Sequence, residues 1–172
     1  ALVAQRIVRC LTDQSDIVIV NSNLAFPDGR MEGIAVIPDI SRSVETPLAG
    51  IHAALVWGVK HGCEWVTTVP ADTPFLPADL TERLFAAATE SNAAIAVSAG
   101  QAHYVIGIWS TGLAAELETA IVRDGLFRVR DWADRTRAAY VEWPVIQYDP
   151  FFNVNTPEDL AQARRLADEL GI

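Results

Sequence analysis

Apolar residues recur at helical spacing over residues 2–11, with Gln5, Arg6 and Arg9 on the opposite face, so the chain is read as opening in a helix. Residues 16–20 form an aliphatic, mostly β-branched strand that ends at Asn21-Ser22-Asn23. A polar loop through Pro27, Asp28 and Gly29 then leads to a short strand over 34–37, closed by Pro38 and Asp39. After a polar loop over 41–46, the segment from Pro47 reads as a helix, with proline in its first turn and Gly62 just past its end. Residues 65–69 are a β-branched and aromatic run stopped by Pro70, which has no amide to give to a sheet ladder. Pro74 and Pro77 lead from it into a helical pattern over 78–90. Strands over 93–97 and 103–109 are joined by the turn Ser98-Ala99-Gly100-Gln101, and helices over 112–123 and 126–136 are separated by Asp124-Gly125. A late strand covers 139–143. The last helix starts at a Thr156 cap, with Pro157 at its first position and acids in its first turn, and stops at Gly171.

Strands alternating with helices imply βαβ units and a three-layer α/β domain, its mostly parallel sheet covered on both faces. A doubly wound domain ordinarily begins with a strand and a phosphate-binding loop ahead of its first helix, and this pattern shows neither. The expectation is one domain over residues 1–172 that lacks that strand and loop, the strand belonging in the sheet interior beside 16–20.

Composition narrows the picture. At 172 residues and 51% apolar the chain suits one domain with a full core. Cys10 and Cys63 show no metal-ligand spacing and read as small core residues. No apolar run approaches a membrane span and no signal-peptide pattern opens the chain, which points to the cytoplasm. A net charge of −9 argues against binding long nucleic acids. A small anionic substrate remains open, given a metal ion, helix N-termini or a basic loop to neutralise it. Lys60, the only lysine, is placed in mid-helix by its spacing.

Asp72 and Thr73 fall at the carboxyl end of the 65–69 strand, where open α/β sheets bind ligands. A carboxylate there suits a divalent cation bridging phosphates. The alternative is an Asx-turn in which the two residues satisfy the free amides of the next helix. Asn153 and Asn155, two apart in an extended segment, share a face and can point together into a crevice while Val154 points to the core. The alternative for Asn155 is support of the turn before the Thr156 cap.

Several blocks together resemble the molybdenum cofactor guanylyltransferases, within the Rossmann-like nucleotidyltransferases. They are Val18-Ile-Val-Asn21, Val36-Ile-Pro-Asp39, Pro47-Leu-Ala-Gly50, Pro70-Ala-Asp72-Thr-Pro-Phe-Leu-Pro77, His103 and Phe152-Asn-Val-Asn-Thr-Pro-Glu-Asp-Leu160. They stand in the family's order and span nearly the whole chain. The resemblance implies transfer of GMP from GTP to molybdenum-bound molybdopterin, with release of pyrophosphate and with Mg²⁺ as cofactor. It implies Asp72 as metal ligand and catalytic residue, and Asn153 and Asn155 as catalytic residues facing the reacting phosphates and pterin. Nucleotide binding falls to Asn21, Asp39, Pro47, Leu48, Ala49, Gly50 and Asp72. Proteins that deliver the cofactor or mature molybdoenzymes are the implied partners, with no nucleic acid polymer and no membrane. Three departures stand out: the family's glycine-rich loop with its lysine is absent, Thr46 replaces a glycine, and Tyr104 follows His103 where proline is usual.

Rival readings are a CTP-dependent or sugar-phosphate nucleotidyltransferase and a catalytically silent nucleotide- or partner-binding module. The remaining candidates read as structural. His52 and His61 are expected at a helix surface or boundary, and the five tryptophans in the core, with Trp109 or Trp132 able to line a pterin slot. Arg123, Arg128, Arg130 and Arg135 form a solvated helix face or an anion-binding edge.

Overall fold

The computed structural model describes residues 2–24, 33–40 and 46–171. The expected loops through Pro27–Gly29 and over 41–45 lie outside them. Among the described residues the order is α1 (Leu2–Thr12), β1 (Ile19–Asn21), β2 (Ala35–Ile37), α2 (Pro47–Lys60), β3 (Trp65–Thr68), α3 (Leu80–Ala88), β4 (Ala93–Ser98), β5 (Gln101–Ser110), α4 (Ala114–Val122), α5 (Val129–Thr136), β6 (Ala139–Trp143) and α6 (Pro157–Leu170).

The four strands β3-β5-β4-β6 form one sheet and β1-β2 a second. The β1–β2 and β4–β6 pairs are parallel, and β5 runs antiparallel to both of its neighbours. That direction follows from the β4–β5 hairpin. Ser98 pairs with Gln101 across Ala99 and Gly100, both at positive φ, the backbone a two-residue turn needs to match strand twist.

Side-chain alternation along β4 builds the three layers. Ala93 and Ile95 face a core made with Leu48, Ile51 and Leu55 of α2, Leu117 of α4 and Trp132 of α5. Ala94 and Ala96 face the other core, with Ile7 of α1, Leu80 and Leu84 of α3, and Phe151. Small residues on β4 let both helical layers approach the sheet closely. Val3, Ile7, Cys10 and Leu11, at helical spacing, give α1 its apolar face.

The two sheets are not paired with each other. Between β1 and β3 lies a slot of about 970 Å³, lined by both strands, one face of α1, part of α2, and Phe85 of α3. The Trp65 and Phe85 rings meet edge-on in its wall at 5.4 Å.

Several boundaries differ from the sequence reading. The strand expected over 16–20 is confined to Ile19–Asn21 because β2 offers only three partners. Asn21 is therefore inside the ladder. The helix expected from 126 starts at Val129, because Leu126 folds its N–H back onto Ala120 C=O and Arg128 is extended. Lys60 ends α2 and does not sit in its middle. His52 is buried, 6% exposed, because α2 is covered by both the sheet and α4. Trp109 and Trp132 are fully enclosed, which removes both from any pterin slot, while Trp57 and Trp65 are only half-buried. Among the described residues no helix is long and apolar enough to cross a membrane.

Candidate active site

Two polar clusters adjoin the slot, the first through Asn21, Asp39 and Gly50 and the second through Pro70 and Ala71, which precede it. The first is built where β1, β2 and α2 converge. Asn21, at the end of β1, donates through Nδ2 to Ile37 C=O at 3.2 Å and to Asp39 Oδ1 at 3.0 Å. Asn23 donates to Asp39 Oδ2 at 2.8 Å and accepts from the Asp39 N–H at 2.9 Å. The Asp39 carboxylate is thus held at both oxygens by two amides, with lone pairs to spare. Gly50 closes the cluster from α2. A Cβ there would lie 2.6 Å from Asn21 Oδ1, so no larger residue fits without displacing that amide. Pro47 is exposed at the helix start and lines the slot, as Gly50 does. Leu48 and Ala49 turn their side chains into the protein, at 0% and 3% exposure, so any part they take in nucleotide binding falls to their backbone.

The second cluster stands just beyond β3. Pro70 and Ala71 line the slot, and Asp72 and Thr73 follow. The Val154 N–H donates to Asp72 C=O at 2.8 Å, joining the 153–155 segment to the β3 end. Thr73, fully buried, donates its hydroxyl to Asn153 Oδ1 at 2.8 Å and lies 3.4 Å from Asp72 Oδ1. Asn153 and Asn155 are exposed and Val154 is half-buried, the alternation expected for a strand-like segment.

Helix α1 braces this loop. Arg6 donates from Nε to Pro74 C=O at 2.8 Å with its guanidinium over the Phe75 ring, and Gln14 donates to Pro77 C=O at 3.0 Å. Gln14 Oε1 also accepts the Thr81 N–H in the first turn of α3. That helix start is served from α1, and no side-chain bond from Asp72 or Thr73 to it is present among the described residues. At the next helix, Asp159 Oδ2 accepts the N–H groups of Asn155 and Thr156 while Thr156 accepts the Asp159 N–H. This capping box uses the Asn155 backbone and leaves its carboxamide out.

The 149–155 segment is anchored from the sheet as well. Ser98, fully buried, donates to Asp149 Oδ1 at 2.8 Å and lies 2.7 Å from His103 Nε2. The serine has one proton, so giving it to the carboxylate makes His103 Nε2–H the donor to the serine. Burial pushes the His103 pKa below its ordinary 6.5, with the Asp149 charge acting in the opposite direction. Asp149 Oδ1 also accepts the Phe151 N–H at 2.9 Å.

Chemically, the first cluster offers acceptor oxygens of a carboxylate to a donor-rich base edge. The second offers one carboxylate that can hold a cation and two exposed carboxamides that carry donors. Sequence reasoning named Asn21, Asp39, Gly50, Asp72, Asn153 and Asn155 but missed Asn23, Ser98 and Asp149. The two-residue spacing used for Asn153 and Asn155 also holds for Asn21 and Asn23. For Ser98 and Asp149, 51 residues apart, the sequence carried no such signal.

The family model of the MobA-like NTP transferase domain matches residues 2–139. The chain belongs to the MobA-like NTP transferase family. It is a nucleotidyltransferase. A molybdenum cofactor guanylyltransferase of Nitrobacter hamburgensis is 43% identical over 169 residues, covering 96% of this chain and 81% of the relative. One of Rhizobium leguminosarum bv. trifolii is 46% identical over 150 residues, covering 83% and 72%. Among solved structures, the molybdopterin-guanine dinucleotide biosynthesis protein A of Archaeoglobus fulgidus matches with a TM-score of 0.58 at 21% identity, covering 96% of this chain and 75% of that one. The 2-C-methyl-D-erythritol 4-phosphate cytidylyltransferase of Thermus thermophilus matches with a TM-score of 0.67 at 19% identity, covering 96% and 88%. At those identities the structural matches establish the Rossmann-like nucleotidyltransferase fold alone.

Proposed function

We propose that this chain transfers GMP from GTP to the terminal phosphate of molybdenum-bound molybdopterin and releases pyrophosphate. The observation that carries the base assignment is the Asn21–Asp39–Asn23 cluster. A carboxylate only accepts hydrogen bonds, and guanine presents N1–H and N2–H₂ side by side as donors. Cytosine offers a single donor group on that edge, N4–H₂, followed by the acceptors N3 and O2. A carboxylate held at both oxygens favours guanine.

In this reading a pterin phosphate oxygen attacks the α-phosphorus of GTP. The bond from that phosphorus to the β-phosphate bridging oxygen breaks, and pyrophosphate departs with the electron pair. The nucleophile is already ionised, so no general base is needed. What the chain supplies is alignment of two anionic substrates. Asp72 and Asn153, joined through Thr73, would face the reacting phosphates, with Asn155 on the same side of its segment.

The donor set suits Mg²⁺, which binds through one or two carboxylates together with substrate phosphates and water. Asp72 would hold it, its carboxylate half-buried and touched among the described side chains only by the Thr73 hydroxyl at 3.4 Å. When bound, Mg²⁺ neutralises phosphate charge.

The slot is lined by β1 and β3, whose sheets are not paired with each other, which supports a reading in which an extended strand fills it. We propose that such a strand lies there and brings a glycine-rich phosphate loop to the site. Protection of the slot-facing amides of β3 from hydrogen exchange in solution is the expected result, and rapid exchange there rejects the strand.

The function is tested by Mg²⁺-dependent incorporation of labelled nucleotide into molybdopterin, with GTP and CTP compared. Asp72→Asn abolishes turnover while leaving thermal stability near its original value, since a half-exposed carboxylate contributes little to packing. Activity within a few-fold of the parent makes Asp72 a turn residue only. Preference for CTP replaces the guanine assignment.

A further inference from the structure

We infer that Thr73 is a positioning residue that sets the orientation of the Asn153 carboxamide and presents its NH₂ group to the anionic substrate. This rests on the reading of Asn153 given above and adds a residue that the reading does not use.

Thr73 follows Asp72 and is fully buried, so its hydroxyl must find its partner inside the protein. Two acceptors lie near it: Asn153 Oδ1 at 2.8 Å and Asp72 Oδ1 at 3.4 Å. The hydroxyl has one proton, and the shorter, better-formed bond takes it. Asn153 Oδ1 is then fixed on the protein side. A carboxamide is planar, with its oxygen and nitrogen on opposite sides of the terminal carbon, so fixing Oδ1 inward turns Nδ2 and both its protons outward. No acceptor among the described residues takes those protons, and Asn153 is exposed. Two donors facing an open crevice suit phosphate oxygens. A carboxamide turned the other way would bring its oxygen to an anion and repel it.

The main chain supports the same geometry. The Val154 N–H bond to Asp72 C=O runs beside the Thr73–Asn153 bond. Two adjacent bonds fix both the place of the 153–155 segment and the rotation of its first side chain. They also tie the main chain at Asp72 to the Asn153 donors through one residue.

The test compares Thr73→Val, which keeps the shape and removes the hydroxyl, with Thr73→Ser, which keeps the hydroxyl. Kinetics of GMP transfer are measured with the pterin substrate and GTP varied separately, and GTP affinity is titrated directly. In Thr73→Val, kcat/KM for the pterin falls about tenfold or more while GTP affinity stays within about twofold. Thr73→Ser recovers most of the loss. A pterin kcat/KM within twofold of the parent in the valine variant overturns the inference, as does a parallel loss of GTP affinity or a serine variant as impaired as valine.

A second readout does not depend on the reaction. The Asn153 side-chain NH₂ resonances, assigned by their disappearance in Asn153→Ala, report the order of that carboxamide. Order lost in valine and retained in serine supports the clamp even if the parent protein transfers no nucleotide, a result that would reject the proposed function alone. Unchanged order in valine overturns the clamp.

Discussion

Gly50→Ala separates fold from site in a single substitution. In an ordinary helix interior, alanine for glycine stabilises by about 0.5–1 kcal/mol. At Gly50 the new methyl would stand 2.6 Å from Asn21 Oδ1, 3.4 Å from its Cγ and 3.8 Å from Asp39 Oδ1. Real Cβ contacts are not that short, so the Asn21 carboxamide must swing away. Swinging it away breaks its bonds to Ile37 C=O and Asp39 Oδ1, each contributing about 0.5–1.5 kcal/mol, at the low end here because Asn21 is exposed. The two effects nearly cancel. Stability is therefore expected to fall by no more than about 1 kcal/mol, or roughly 2–4 °C in Tm for a domain of this size. The site does not share in the cancellation, because one of the two amides that hold the proposed base-reading carboxylate of Asp39 is lost. GTP affinity is expected to fall at least about tenfold, equivalent to about 1.4 kcal/mol. Calorimetric titration with GTP beside thermal unfolding reads both quantities. The double variant with Asn21→Ala should show strong non-additivity, since removing the amide removes the clash. GTP affinity within twofold of the parent, together with a raised Tm, refutes the placement of Asn21 and Asp39 at the base.

Two further predictions concern the other cluster and its support. Asn153→Ala and Asn155→Ala are expected to lower pterin-dependent turnover more than GTP binding, because both stand with Asp72 and away from the Asn21–Asp39 cluster; equal loss of GTP affinity in a direct titration rejects that arrangement. His103 and His52 both have pKa values held below 6.5 chiefly by burial, so the unfolded chain binds protons more readily than the folded one below that pH. Their contribution is fully present above about pH 6.5 and is lost as pH falls from there through the depressed folded values; the urea midpoint should fall over that window, less steeply in His103→Gln. A parent protein with no decline in stability there refutes it.

Much of the fold was legible because its signals are local. Pro70 ends a β-branched run, Thr156-Pro157 opens a helix, and Ala99-Gly100 supplies the turn that makes β4 and β5 a hairpin. The errors came where a neighbour decides the outcome. The length of β1 was set by its three-residue partner, and the burial of His52 by α4 packing over a helix that is apolar nearly all round. A periodicity argument sees the face a residue occupies but not what lies opposite that face.

The site shows the same limit at the scale of single atoms. Spacing by two put Asn153 and Asn155 on one face, and both are exposed with Val154 half-buried between them. Spacing alone did not reveal that Thr73, 80 residues earlier, would take up one oxygen of that pair and decide which way the amide turns. Nor could it separate two uses for Asp72. Gln14 bears on that choice: its carboxamide reaches from α1 to the first turn of α3 and meets the need for which the Asx-turn reading had recruited Asp72 and Thr73. Once the helix start is served from elsewhere, the Asp72 carboxylate is left at the end of a strand with little to do for the fold. A polar side chain whose structural task is already done by another residue is a stronger functional candidate than its motif alone makes it.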